Sequence, residues 1–314
     1  MAGVSFRAAP VRVRVPATSA NLGPGFDSFG LALALYDDVV VRVAESGLSV
    51  DVAGEGADEV RRDKKNLVVR AVQATFELLG GQPRGLEVVC ANRIPHGRGL
   101  GSSAAAIVAG ILAARELVVG GPDKLPDDAM LRLAAQLEGH PDNVAACLLG
   151  GFTMAWTQAD DFGPVSRAVR LDPHPDLAPV AFVPETKAST AKVRKLLPET
   201  VPHVDAAANA ARAGLLVEAL TRRPDLLLVA TADALHQPYR APAMPRSAAM
   251  VDRLRAAGVA AVISGAGPTV LALTSSQTAD DVAAAHESRW FTAMPLAVDH
   301  DGAQVVPLGV TGAP

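Results

Sequence analysis

Aromatic residues are scarce: two Trp, two Tyr and eight Phe make up 4% of the 314 residues. A chain that is still 49% hydrophobic must build its core from aliphatic side chains and alanine, with close helix contacts. Cysteine is scarcer. Cys90 and Cys147 stand far apart in apolar text, so no CxxC pair or Cys/His cluster offers a structural metal site. Two buried free thiols in a reducing, cytoplasmic setting are expected. No apolar run reaches the ~20 residues of a membrane helix; Ala104–Ala114 stops at Arg115. The N-terminus, Met1–Arg7, lacks a charged segment followed by an apolar one, so no secretory signal is expected. Excess positive charge is missing too: 29 Lys and Arg face 33 Asp and Glu, for a net charge of −4. That argues against a nucleic-acid partner, which needs a basic stripe. Arg61-Arg62-Asp63-Lys64-Lys65 is interrupted by an acid and reads as a solvated turn.

What is present alternates between strand-like and helix-like text. Val11–Val15, a stretch from Leu31 to Val43, Leu48–Val52 and Leu86–Cys90 read as strands. Asn66 to Leu79 places Leu67, Val68, Ala71, Val72 and Phe76 on one side of a helix that Gly80-Gly81 stops. Helices over Ser102–Val118, Asp127–Leu137 and Asp142–Cys147 and a strand over Phe152–Trp156 follow. Beyond Pro173 come a strand at Val180–Val183, Ala/Leu-rich helices between Thr190 and Ala256, and strands near Val259–Ser264 and Thr269–Ala272. Grouped strands and helices without strict alternation predict an α+β fold, not a doubly wound sheet. The expected division is residues 1–172 and residues 173–314.

The chemical signal lies in Pro95-His96-Gly97-Arg98-Gly99-Leu100-Gly101-Ser102-Ser103-Ala104, followed by Ala105. Phosphates need many N–H donors that approach without Cβ atoms in the way, and three glycines ahead of a helix N-terminus supply them. Ser102 and Ser103 suit a helix cap, and equally a hydroxyl for Mg²⁺ or phosphate. By itself the segment also fits a plain glycine-rich turn. It is not a Walker loop, because no Lys follows the last glycine. Nor is it a dinucleotide fingerprint, whose acid lies ~20 residues on at the end of the next strand; Glu116 falls inside the same helix.

This loop resembles the Pro-x-x-x-Gly-Leu-Gly-Ser-Ser-Ala motif of the galactokinase, homoserine kinase, mevalonate kinase and phosphomevalonate kinase superfamily. Val15-Pro16-Ala17-Thr18-Ser19-Ala20-Asn21-Leu22-Gly23-Pro24-Gly25-Phe26-Asp27 and Ile263-Ser264-Gly265-Ala266-Gly267-Pro268-Thr269-Val270 match two further motifs. Leu137-Glu138-Gly139-His140-Pro141-Asp142-Asn143-Val144-Ala145, Ser189 to Pro198 and Gln237-Pro238-Tyr239-Arg240 are similar to the homoserine kinase family in particular.

The resemblance implies a two-domain α+β kinase fold with a left-over-right-type β-α arrangement around the phosphate loop: an ATP-binding N-terminal domain and a C-terminal domain contributing to the substrate site. It implies ATP-dependent phosphorylation of the L-homoserine hydroxyl on the way to threonine, with Mg²⁺. It assigns Asn21, Asp27, His140, Arg194 and Arg240 to substrate, Asn66 to the adenine, and residues 95–105 to ATP. Glu138 with Ser102 falls to the metal, Thr190 to the transferred phosphate, and Asn143 to the place where some superfamily kinases carry an Asp base. In this chain only Gly139 separates Glu138 from His140, where some family members have several residues. The residue chemistry agrees: Asp27 suits an ammonium, and Arg194 and Arg240 suit a carboxylate. Duller uses remain open at the same positions. Asn21 and Asp27 suit a turn, the arginines suit surface ion pairs, and Asn66 and Asp142 suit helix caps. The expected reaction is direct in-line attack with Asn143 orienting groups, since a loose transition state needs no strong base. Another alcohol kinase of the superfamily, a non-catalytic binding protein and an oxidoreductase are the rival readings. Any assembly is expected to be a homodimer, the commonest closed form.

Overall fold

The computed structural model describes residues 4–160 and 163–308, and for Thr190 the backbone alone. The chain opens with strands β1 (Val11–Ala20), β2 (Phe29–Ala44) and β3 (Gly47–Gly54), then helix α1 (Leu67–Leu78) and strand β4 (Gly85–Asn92). Helices α2 (Ser102–Leu117), α3 (Gly121–Lys124), α4 (Asp127–Glu138) and α5 (Asp142–Leu149) follow, then the hairpin β5 (Phe152–Asp160) and β6 (Gly163–Leu171). Strand β7 (Leu177–Pro184) begins a second sheet. After it come α6 (Thr190–Arg194), α7 (His203–Thr221), α8 (Leu227–Ala230), α9 (Gln237–Arg240) and α10 (Pro245–Ala256). Strands β8 (Ala260–Ile263) and β9 (Val270–Ser275), helix α11 (Ala279–His286) and strand β10 (Phe291–Pro295) complete it, and β11 (Gln304–Val306) returns to the first.

The first sheet runs β11-β1-β2-β4-β3, with β5 paired to β2 and to β6; the second runs β10-β7-β9-β8. Pairing is antiparallel except between β3 and β4, which α1 links as a parallel pair requires. Strand β1 shows why the text reads as it does. Val11, Val13 and Val15 point into the core while Arg12 and Arg14 stay half-exposed. At Pro16 the β1–β2 register shifts, from Pro16 opposite Tyr36 to Ala17 opposite Leu33. Proline lacks the N–H that would continue the ladder, and the bulge turns the strand inward. From Ala17 to Ala20 every residue is buried, which delivers the next loop to the centre of the molecule.

Helix α2 is covered nearly all round, and Ile107, Ile111, Ala104, Ala105, Ala109 and Ala113 are almost inaccessible. It packs on α1, α4, α5 and β1, and Phe76 of α1 is fully buried. Each such large side chain contributes roughly 1.5–3 kcal/mol on burial. One apolar cluster extends from this layer to Leu177, Leu271 and Leu273 of the second sheet, so the two sheets share a core. A smaller cluster lies under α10 and α11, around Phe182, Leu254 and Ile263. Strands β6, β10 and β11 and helix α11 carry no clean apolar period, and none of them belongs to the expected elements. The hairpin strand β6, for example, buries only Val165.

One electrostatic clasp fixes β1 to β2. Asp38 accepts from Arg14 Nε and Nη2 at 3.2 and 3.1 Å and from Arg12 Nε at 3.2 Å. Burial pushes the Asp38 carboxyl up, but the hydrogen bond and charge of Arg14, and then Arg12, outweigh it and hold the net value below the ordinary 3.8. A depressed carboxylate stabilises the fold above its unfolded value and loses that contribution as pH falls through the folded one. Asp38→Asn should therefore lower stability by about 1–2 kcal/mol near neutral pH, and by less near pH ~3. Urea midpoints at the two pH values check it; an equal loss at both would remove the charge from the explanation.

Candidate active site

Strand β1 hands over to a loop whose backbone is unusual for its residues. Asn21, Leu22 and Asp27 have φ of 70°, 50° and 54°, a left-handed region costing about 1–2 kcal/mol for an ordinary side chain. The loop is over-determined. Asn21 N donates to Phe29 O at 2.7 Å, Asn21 Nδ2 to Gly265 O at 2.8 Å, and Asp27 N to Asn21 Oδ1 at 2.9 Å. Fully buried His236 holds Gly23 O at 2.8 Å through Nε2, and Phe26 stacks on its ring. Asn21 is thus a turn former, and the turn it forms aims the Asp27 carboxylate into a cavity.

The glycine-rich loop enters the same cavity from the other side. Helix α2 starts at Ser102 with left-handed Gly101 as its cap position, and no side chain caps it. Ser102 and Ser103 lie inside the first turn, so the cap expected of them does not form; the first-turn amides stay open for an anion. Thr18 N donates to Leu100 O at 3.1 Å, Thr269 N to Arg98 O at 3.1 Å, and Ser264 Oγ to Gly99 O at 2.6 Å. The two other motifs brace the phosphate loop.

A cavity of about 170 Å³ is lined by Asn21, Asp27, Gly97, Gly99, Gly101, Ser102, Ser103, Glu138, His140, Asn143, Arg194 and Arg240, together with Asp142, Ala188 and Gly265–Gly267. Segments from six parts of the sequence meet there. Arg194 grips Asp27 with both arms, Nη1 to Oδ2 at 2.8 Å and Nη2 to Oδ1 at 2.5 Å. Arg240 is different. It is 2% exposed, stacks over Phe26, and has no carboxylate partner among the described residues. Its Nε has no hydrogen-bond partner, and burial, then the charge of Arg194, pull its pKa below the ordinary value. Glu138 is pushed up by burial and accepts from Ser103 Oγ at 2.7 Å. The hydroxyl on that carboxylate belongs to Ser103, and Ser102 lines the same cavity beside it.

Asp142 is almost fully buried. Its Oδ1 accepts from Asn143 N at 2.7 Å, Asn143 Nδ2 at 3.3 Å and His140 Nδ1 at 3.0 Å, and that hydrogen bond raises the His140 pKa. Its oxygen is committed to holding its neighbours.

A second cavity of about 240 Å³ adjoins the first at Ser102 and Ser103. Asn66, His96, Ala105 and the apolar Val15, Val39, Val60 and Val68 line it, which suits a flat heterocycle. Asn66 also caps α1, accepting from Val68 N at 2.9 Å and Val69 N at 3.3 Å. Pro95, Leu100 and Ala104 are buried and line neither cavity. Arg98 turns away to Glu185 O at 3.2 Å and Glu55 at 3.5 Å. The Thr190 side chain lies outside the described residues. Across the phosphate loop runs a segment without any sequence signal: Ala188 N donates to Gly97 O at 2.9 Å, and Lys187 pairs with Glu59. Thr18, His236 and Lys187 are the contacts that reading by motif overlooks.

Residues 66–151 match the GHMP kinases N terminal domain, and residues 200–292 the GHMP kinases C terminal domain. The homoserine kinase of Streptomyces coelicolor is 64% identical over 308 residues, covering 98% of both chains. The chain belongs to the homoserine kinase family. The homoserine kinase of Clavibacter michiganensis is 52% identical over 309 residues, 97% of this chain and 96% of that one. The solved homoserine kinase of Cytophaga hutchinsonii superposes with a TM-score of 0.82 at 27% identity, covering 98% of this chain and 100% of that one. The family's α+β fold and ATP-dependent kinase chemistry therefore apply to this chain, and the two adjoining cavities are where such chemistry has room. No helix among the described residues is long and apolar enough to cross a membrane.

Proposed function

We propose that the chain transfers the γ-phosphoryl group of ATP to the side-chain hydroxyl of L-homoserine, giving O-phospho-L-homoserine for threonine synthesis. The carrying observation is Arg240, a buried cation without an acid, in one cavity with an anion-binding loop and the carboxylate of Asp27. An amino acid's carboxylate relieves Arg240 and engages Arg194, while its ammonium replaces Arg194 on Asp27. Asn21 fixes that loop, and His140 contacts the substrate. The adenine occupies the cavity beside Asn66 and His96, with its phosphates on residues 97–103 and the first turn of α2. Mevalonate and galactose carry no ammonium for Asp27.

Mg²⁺ fits the donor set. Glu138 and the Ser102 and Ser103 hydroxyls are hard oxygen ligands, and no group of three or more acids, His or Cys is placed to hold a metal ion by itself among the described residues. That suits an ion held by one carboxylate and by substrate phosphates. When bound, it neutralises charge on the β- and γ-phosphates. The protein's own part is positioning. The homoserine oxygen attacks phosphorus in line, the bond to ADP breaks, and the hydroxyl proton leaves on the transferred phosphoryl oxygens. Asn143 orients the acceptor, Thr190 attends the phosphoryl group, and Asp142, with its oxygen occupied, holds His140 and Asn143.

The division into residues 1–172 and residues 173–314 belongs to the same proposal, its boundary supported by the change of sheet between β6 and β7, while β11 crosses back to the first sheet. So does cytoplasmic residence, which the buried free thiols Cys90 and Cys147 suit. Homodimer formation rests on the prevalence of that symmetry. ADP release with Mg-ATP and L-homoserine, L-serine, mevalonate or galactose tests the function. Homoserine should stimulate it most; no stimulation by homoserine would sink the assignment.

A further inference from the structure

The geometry points to Thr18 as a positioning residue that, together with Asp142, holds the Asn143 amide with its nitrogen toward the acceptor, linking the phosphate loop to the place of attack. Thr18 is fully buried. Its Oγ1 donates to Asn143 Oδ1 at 2.8 Å, and its backbone N holds Leu100 O at 3.1 Å. The donor direction follows from the neighbour. Asp142 Oδ1 only accepts when ionised, so the Asn143 atom 3.3 Å from it is the amide nitrogen. The other end of the amide is then the carbonyl, and Thr18 must supply the proton. Both ends of Asn143 are fixed, one by an acid and one by a hydroxyl. One N–H of Nδ2 remains, on a side chain that lines the substrate cavity. Asn143 therefore presents a donor there, and its carbonyl is turned toward Thr18.

The same side chain sits against the glycine loop. A Cβ on Gly101 would stand 1.9 Å from Thr18 Oγ1, so one hydroxyl touches both the phosphate cradle and the residue beside the acceptor. A shift of the loop moves the donor, and nucleotide seating and acceptor orientation are coupled through Thr18. This rests on the reading of Asn143 as the group that orients the acceptor.

Thr18→Ser and Thr18→Ala both lose the methyl group, and only the serine keeps the donor. With wild-type turnover of homoserine as reference, kcat of T18S should stay within ~3-fold and that of T18A should fall about 10–100-fold. The KM of both substrates should stay within ~3-fold, because the effect is on orientation. In an Asn143→Ala background, T18A should lower kcat by no more than ~2-fold. Equal kcat in T18S and T18A, or an undiminished T18A effect in that background, would overturn the proposal. Asn143→Asp tests it without touching Thr18. It keeps the acceptor for Thr18 and exchanges the remaining N–H for oxygen, so kcat should drop at least ~10-fold; a rate kept or raised would overturn it. A wild-type protein inactive toward homoserine would instead refute the proposed function.

Discussion

Gly101→Ala should lower kcat/KM for ATP at least ~100-fold and destabilise the fold by about 2 kcal/mol or more. Two independent costs meet at this position. Its φ of 74° lies where an L side chain is strained, and the added Cβ would stand 1.9 Å from Thr18 Oγ1. Thr18 cannot yield freely, being fully buried and bonded to Asn143. Displacement therefore reaches the open amides of α2 and the acceptor side together. Gly99→Ala should behave alike, because its Cβ would lie 2.3 Å from the carbonyl oxygen of Ser264. Gly214→Ala is the control. It has open space around it inside helix α7, and alanine there should stabilise by ~0.5–1 kcal/mol with unchanged activity. Nucleotide titration and urea midpoints on the three variants check both halves. A G101A protein that bound ATP normally would detach the glycine loop from the phosphates.

Arg240→Met should separate function from stability. A carboxylate held by a buried guanidinium loses about 2–5 kcal/mol when the cation is removed, so kcat/KM for homoserine should fall about 10²-fold or more. The KM for ATP should stay within ~3-fold, because Arg240 does not line the cavity beside Asn66 and His96 in which the adenine is placed. Stability should move the other way. A buried charge without a paired acid is costly, and an apolar side chain of similar length removes that cost. The substrate-free R240M protein should melt at or above the wild-type temperature, and homoserine should no longer raise its melting point. Thermal melts with and without homoserine, beside steady-state rates, read all three effects. A variant less stable than wild type with homoserine affinity intact would make Arg240 structural.

The sequence was most informative where a period or motif is local. The alternation of Val11, Val13 and Val15 and the apolar face of α1 are visible because one element repeats one contact. The glycine loop is visible because approach to phosphate restricts residue type. The pairing of residues across the site is another matter. Asp27 meets Arg194 across 167 residues and Thr18 meets Asn143 across 125, and no local pattern encodes such contacts. Motif resemblance brought Asn21, Asp27, Glu138, His140, Arg194 and Arg240 together, and the structure gathers those six in one cavity. It left Thr18 without a role, and it gave no sign that Ser103 hydrogen-bonds Glu138. Lys187 and Glu59 were illegible for a plainer reason: exposed charges carry no period, and only the fold makes them neighbours.

The central claim is that this cavity directs phosphoryl transfer to an amino-acid alcohol. It is tested most directly by the product itself. Phosphorus NMR of a reaction holding the protein, Mg-ATP and L-homoserine should show ADP and one new phosphomonoester signal, split by the adjacent methylene protons, in equal amounts. Inorganic phosphate as the only new phosphorus species, or no new signal with homoserine, would contradict the account.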